Sequence, residues 1–90
     1  MLEAGIVMNL RQLEIFRAVM ISGTTVGAAE MLNVSQPAIS NMILHTEDQL
    51  KFKLFLRQRG RLIPTDEAVL LFEYSQKVFN AFDETQFIVD

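Results

Sequence analysis

The 90-residue chain has no cysteine and no tryptophan, only one histidine and one tyrosine, and just two prolines and four glycines. Without cysteine there is neither a disulfide nor a thiolate metal site. A lone histidine, His45, cannot nucleate a metal or catalytic cluster and reads as a surface or groove-edge residue. No apolar run approaches the length of a membrane span. Residues 1–8 lack the basic start and long apolar stretch of a signal peptide. These absences fit a cytoplasmic protein that needs no cofactor. There is no nucleophile–base pair and no phosphate-cradling glycine loop, so the pattern is not that of an enzyme.

What the chain does have is hydrophobic content, 50% of its residues, enough for one small packed domain. The formal net charge of −3 argues at first against a polyanionic partner. Its distribution reverses that. Residues 1–65 carry seven basic and five acidic side chains, whereas residues 66–90 carry six acids and only Lys77. Lys51, Lys53, Arg57, Arg59 and Arg61 follow one another with no acid between Gln49 and Thr65. A basic block beside an acidic tail suits a protein that turns one region toward nucleic acid and the tail away from it.

Four helices and one hairpin are expected. Asn9 caps a first helix to about Ile21, with Leu10, Leu13, Phe16, Val19 and Met20 spaced to form one buried stripe. Gly23 suits the left-handed residue that ends it. Thr24 caps a short second helix to about Leu32, where Ala28 and Ala29 permit close packing. Asn33-Val34 makes a tight turn. Ser35 caps a third helix, and Pro37 sits in its first turn, where a missing N–H costs nothing. Ile39, Ile43, Thr46 and Leu50 share one face of it; Gln36, Ser40 and Asn41 lie on another. Leu54, Leu56 and Leu62 flank Arg57-Gln58-Arg59-Gly60-Arg61, a short hairpin with a basic tip that Pro64 terminates. Thr65 caps a long fourth helix that opens with Asp66 and Glu67. Met20, Met31 and Met42 read as core filler.

Two helices joined by a tight turn, the second opening with Ser-Gln-Pro, form the plan of a helix-turn-helix. Such a second helix lays its first residues in the major groove of DNA, where every base pair shows a different edge. Gln36 offers a donor and an acceptor together, as adenine requires. Ser40, one turn later, reaches a base or a phosphate, and Asn41 can act like Gln36. Thr24, Thr25 and Ser35 sit at helix N-termini, whose N–H groups suit phosphate. Arg57, Arg59 and Arg61 suit phosphates or the minor groove. The plain alternatives are a capped helix and a solvated hairpin tip.

Several segments resemble one family. Met8-Asn9-Leu10-Arg11-Gln12-Leu13-Glu14-Ile15-Phe16-Arg17-Ala18-Val19 is similar to the opening of the LysR-type transcriptional regulators. Ala28-Ala29-Glu30-Met31-Leu32-Asn33-Val34-Ser35-Gln36-Pro37-Ala38-Ile39-Ser40 resembles their helix-turn-helix. Leu54-Phe55-Leu56-Arg57 and Gly60-Arg61-Leu62-Ile63-Pro64-Thr65-Asp66-Glu67-Ala68 resemble their wing and linker-helix start. The segments occur in order, from Met8 to the chain end.

The resemblance implies a mainly α fold: a winged helix-turn-helix of three helices and a β-hairpin wing over residues 9–64, after an N-terminal extension at 1–8. A linker helix for dimerisation follows over residues 65–90. It implies sequence-specific binding of double-stranded DNA by a homodimer at an inverted repeat, in transcriptional regulation. Helix 35–50 would lie in the major groove and read bases through Gln36, Pro37, Ser40 and, by position, Asn41. Leu71, Phe72, Ser75, Val78, Phe79 and Phe82 would pair two copies while part of the same helix folds onto the first. In the family a larger C-terminal domain senses a small molecule, so the chain is expected to be the isolated DNA-binding part. It departs from the family at Asn41, commonly arginine, and at Leu44 and His45, commonly basic or polar. Val26 stands where a hydroxyl residue is common, Thr46 replaces leucine, and Lys51 replaces glycine. These departures support one alternative, a pairing module that sequesters full-length relatives.

Overall fold

The computed structural model describes residues 8–89; the expected extension at 1–8 lies, through residue 7, outside the described residues. The elements are α1 (Leu10–Ser22), α2 (Thr25–Leu32), α3 (Gln36–Leu50), β1 (Phe55–Gln58), β2 (Arg61–Pro64) and α4 (Asp66–Val89). This is a winged helix-turn-helix with a long helix appended.

Local chemistry sets each boundary. Asn9 and Gln12 form a reciprocal capping box: Asn9 Oδ1 accepts from the Gln12 N–H at 2.8 Å, and Gln12 Oε1 accepts from the Asn9 N–H at 2.7 Å. Gly23 closes α1 in the left-handed conformation. Thr24 Oγ1 accepts from Gly27 N–H at 2.8 Å and starts α2. A side chain at Gly27 would place a Cβ 2.8 Å from Ser22 Cβ, so the α1–α2 corner requires glycine there. Asn33 ends α2 at φ 57°. Lys51 ends α3 at φ 67°. Thr65 Oγ1 accepts from Ala68 N–H at 3.1 Å as α4 begins.

The strands pair antiparallel, Leu56 opposite Ile63 and Gln58 opposite Arg61. Both residues of the connecting turn have positive φ, Arg59 at 52° and Gly60 at 77°. That pair of signs belongs to the type I′ turn, whose twist matches the twist of the strands.

The core lies where α1, α2, α3 and the start of α4 meet. Phe16, Ala28, Ile39, Leu54 and Ala68 are fully enclosed there, with Ile15, Ala18, Val19, Ala29 and Ile43 around them. The α1 stripe differs from expectation. Leu10 is 56% exposed, while Gln12 and Ile15 are buried. Gln12 is buried because its amide donates to Thr46 Oγ1 at 3.0 Å and to Gln49 Oε1 at 2.6 Å, so its polarity is satisfied. Thr46, a threonine at a leucine position, is the hydroxyl that this glutamine needs. Met31 is half exposed and is not core; Met20 and Met42 do pack against it.

The fourth helix folds back on α1 along one face. Ala68 is enclosed, Leu71 and Phe72 pack partly against the core, and Ser75 is fully buried. Ser75 Oγ donates to the Phe72 carbonyl at 2.7 Å. Arg17 of α1 donates from Nε to Gln76 Oε1 at 2.6 Å and lies 5.1 Å from the centre of the Phe79 ring. Ser75 therefore has no surface to offer a second copy, which corrects its place among the expected pairing residues. No helix among the described residues is long and apolar enough to cross a membrane.

Candidate nucleic-acid interface

One surface gathers the expected DNA-facing residues. Gln36, Pro37 and Asn41 are exposed at the start of α3, and Ser40 is half-buried beside them. Pro37 and Asn41 lie opposite the enclosed Ile39, while Gln36 and Ser40 lie along the edge of the buried face, next to Ile43. The packing that anchors α3 is thus also what presents its polar side.

The side chains there are already organised. The Gln36 amide donates to Thr25 Oγ1 at 3.1 Å, across the turn on α2, and to Ser40 Oγ at 2.8 Å, one turn along α3. Both amide hydrogens are committed to hydroxyls. Bidentate pairing with adenine, which uses donor and acceptor together, requires one hydroxyl to give way to the base. Hydroxyls at an exposed site rotate readily, so the exchange costs little. Thr25 emerges as a partner of Gln36 rather than a bare hydroxyl at a helix start. Ser35 Oγ accepts from Ala38 N–H at 3.2 Å, so it and Thr24 act as helix caps.

The wing stands beside this surface. Arg57 borders two clefts. One also includes Thr25, Ser40 and Leu44; the other includes Gly23, Thr24, Thr25 and Arg61. By the strand register, Arg57 shares a face with Leu62, and Arg61 shares the opposite face with Gln58. Arg59 sits in the turn between them. The one ion pair among the described residues is Arg11–Glu14. No acid among the described residues pairs with the wing arginines, which stand around a surface rich in hydroxyls. His45 is exposed on α3, away from any cluster of ligating groups among the described residues.

The link that holds wing to helix had not been expected. Glu47, buried near the end of α3, accepts from the Leu54 N–H at 2.7 Å and the Phe55 N–H at 3.1 Å through one carboxylate oxygen. It fixes where β1 begins relative to α3. Its spacing from Ile39 and Ile43 is the available sequence signal: an acid on the apolar face of a helix needs buried donors.

Comparisons with known proteins place this geometry. Residues 10–69 match the family described as bacterial regulatory helix-turn-helix protein, lysR family. The HTH-type transcriptional regulator DgcR of Pseudoalteromonas sp is 49% identical over 72 residues, covering 80% of this chain and 25% of its own. The transcriptional activator protein LysR of Escherichia coli (strain K12) is 44% identical over 75 residues, covering 83% of this chain and 24% of its own. The chain thus spans about a quarter of the length of these relatives. Among solved structures, the BenM DNA-binding domain in complex with benA site 1 DNA matches at TM-score 0.82 and 28% identity, over 91% of this chain and 95% of that one. The CbnR DNA-binding domain–DNA complex matches at TM-score 0.76 and 26% identity, over 92% of this chain and all of that one. The named relatives are transcriptional regulators, not enzymes. With its helix-turn-helix, wing and long following helix, the chain belongs to the LysR family of bacterial regulatory helix-turn-helix proteins.

Proposed function

We propose that this chain binds double-stranded DNA sequence-specifically as a homodimer and serves transcriptional regulation. Helix α3 lies in the major groove, with Gln36, Pro37, Ser40 and Asn41 at base edges. Arg57, Arg59 and Arg61 of the wing neutralise phosphates or enter the minor groove, and the N-terminal end of α2 meets the backbone near Thr24 and Thr25. The observation that carries this reading is the held Gln36 amide. It is exposed at the start of α3 and held by Thr25 and Ser40, which border a cleft with Arg57 of the wing. The match to two domains solved on DNA supports it.

Pairing rests on α4. Its inner face is occupied by the fold, but Leu70, Tyr74, Val78, Phe82 and Ile88 remain exposed. Leu70, Tyr74 and Val78 recur at four-residue spacing, as an unpartnered helical seam does. Two copies joined there present two α3 helices to an inverted repeat, about 34–36 Å or a multiple apart. A likeness to full-length BenM, at TM-score 0.80 over 91% of this chain and 27% of that one, supports reading residues 8–89 as a DNA-binding part. No effector-binding role is assigned to residues 1–90. A pure sequestering module would have no use for the organised polar face, so that reading is not adopted.

Fluorescence anisotropy on selected duplex DNA over a salt series tests the proposal. Affinity should fall steeply and linearly on a log–log scale as phosphate-bound cations are replaced. Binding indifferent to salt, or no binding to any duplex, would overturn it.

A further inference from the structure

Leu44 does not belong to the core. It is 59% exposed on α3, while Ile39 and Ile43 are turned inward. It follows Gln36 and Ser40 at steps of four, so the three form one row along the helix. The neighbouring exposed side chains, Asn41, His45 and Asp48, are polar. Leu44 borders the cleft between α3 and the wing together with Leu56, Lys53 and Arg57, yet the wing leaves more than half of it open.

A helix in the major groove meets one apolar group on the base edges, the C5-methyl of thymine. At 1.5 Å per residue, Leu44 stands about 6 Å beyond Ser40 along the helix, so it meets a different base step. We infer that Leu44 is a specificity-determining residue that packs on a thymine C5-methyl in each half-site. This rests on the reading of α3 as the recognition helix. Gln36 and Ser40 read by hydrogen bonding; Leu44 reads by exclusion of water from an apolar pair. A cytosine in place of the thymine leaves the leucine without its partner.

The test uses the whole chain and duplexes selected by it from a random library. Each thymine is replaced in turn, in both half-sites, by deoxyuridine, which keeps the base pair and removes the methyl. Anisotropy at one fixed salt concentration gives Kd for the wild type and for Leu44→Ala. Removing one buried methyl should weaken wild-type binding about fourfold per half-site at one symmetric thymine position. Leu44→Ala should lose that sensitivity while its thermal melt stays that of the wild type, since the side chain is exposed. If no thymine position is sensitive, or if the same sensitivity persists in Leu44→Ala, the inference is overturned. Failure of the wild type to select any sequence would instead sink the recognition-helix reading beneath it.

Discussion

Gln36 at the start of α3 donates its side-chain amide to the hydroxyl of Thr25 at the start of α2, 3.1 Å away across the turn. The contact joins the two helices of the motif at the point where they face outward. It restrains the Gln36 side chain before any base is present, which on the proposed reading lowers the entropy lost on binding. Thr25→Val should remove that restraint and leave the fold intact. A hydrogen bond of about 0.5–1.5 kcal/mol predicts a loss of roughly two- to thirteenfold on the cognate duplex and little change on random DNA. Anisotropy on the two duplexes checks this; an equal loss on both would mean that Thr25 acts through the phosphate backbone alone and not through Gln36.

The wing arginines should behave differently. Arg57→Ala and Arg61→Ala remove charges that no acid among the described residues neutralises. Each should weaken cognate and random DNA alike and reduce the salt slope by about one. A salt titration of each variant reads the slope directly, and an unchanged slope would place that arginine off the DNA.

Pairing through α4 depends on a seam that the protomer leaves open. Val78 is 44% exposed and on the outward side, so Val78→Glu adds a charge to each side of a two-fold contact without touching the core. Sedimentation equilibrium should show a shift from dimer toward monomer, with a matching loss of affinity for an inverted repeat. An unchanged dimer would move the interface elsewhere.

Lys51 carries a backbone cost. Its φ of 67° places a side chain in a region that glycine occupies without strain, and the left-handed conformation costs an L-residue about 1–2 kcal/mol. The flexibility of glycine in the unfolded chain offsets part of that. Lys51→Gly should therefore raise stability by up to about 1 kcal/mol, read as a higher denaturation midpoint. A lower midpoint would mean that the lysine side chain contributes more than the strain removes.

Much of this was legible from residue order because it is local. Asn9, Thr24, Ser35 and Thr65 cap the helices as their side chains predict, and Gly23 and Gly60 stand at positive φ. Asn41 is exposed as the period of a helix with Ile39 turned inward predicts, whereas Ser40, beside Ile43, is half-buried. What escaped was polar and distant. Gln12 meets Thr46 and Gln49 across 34 and 37 residues, and Arg17 meets Gln76 across 59. Burial of a glutamine or serine leaves no hydrophobic signature, so neither the Gln12 network nor the burial of Ser75 could be read from periodicity. Glu47 was passed over for the same reason, although its core-facing spacing was visible. The stripe through Leu10, Leu13, Phe16, Val19 and Met20 differs from the structure because Ile15 and Ala18 take the buried positions and Leu10 stays exposed.

The central claim is that α3 reads bases through Gln36, and substitution at that residue tests it most directly. Gln36→Ala, measured by anisotropy on a selected duplex and on random DNA at one salt concentration, should lose about 1–3 kcal/mol on the selected site, relax its base preference and leave random DNA nearly unaffected. Equal losses on both duplexes, or none on either, would contradict the account.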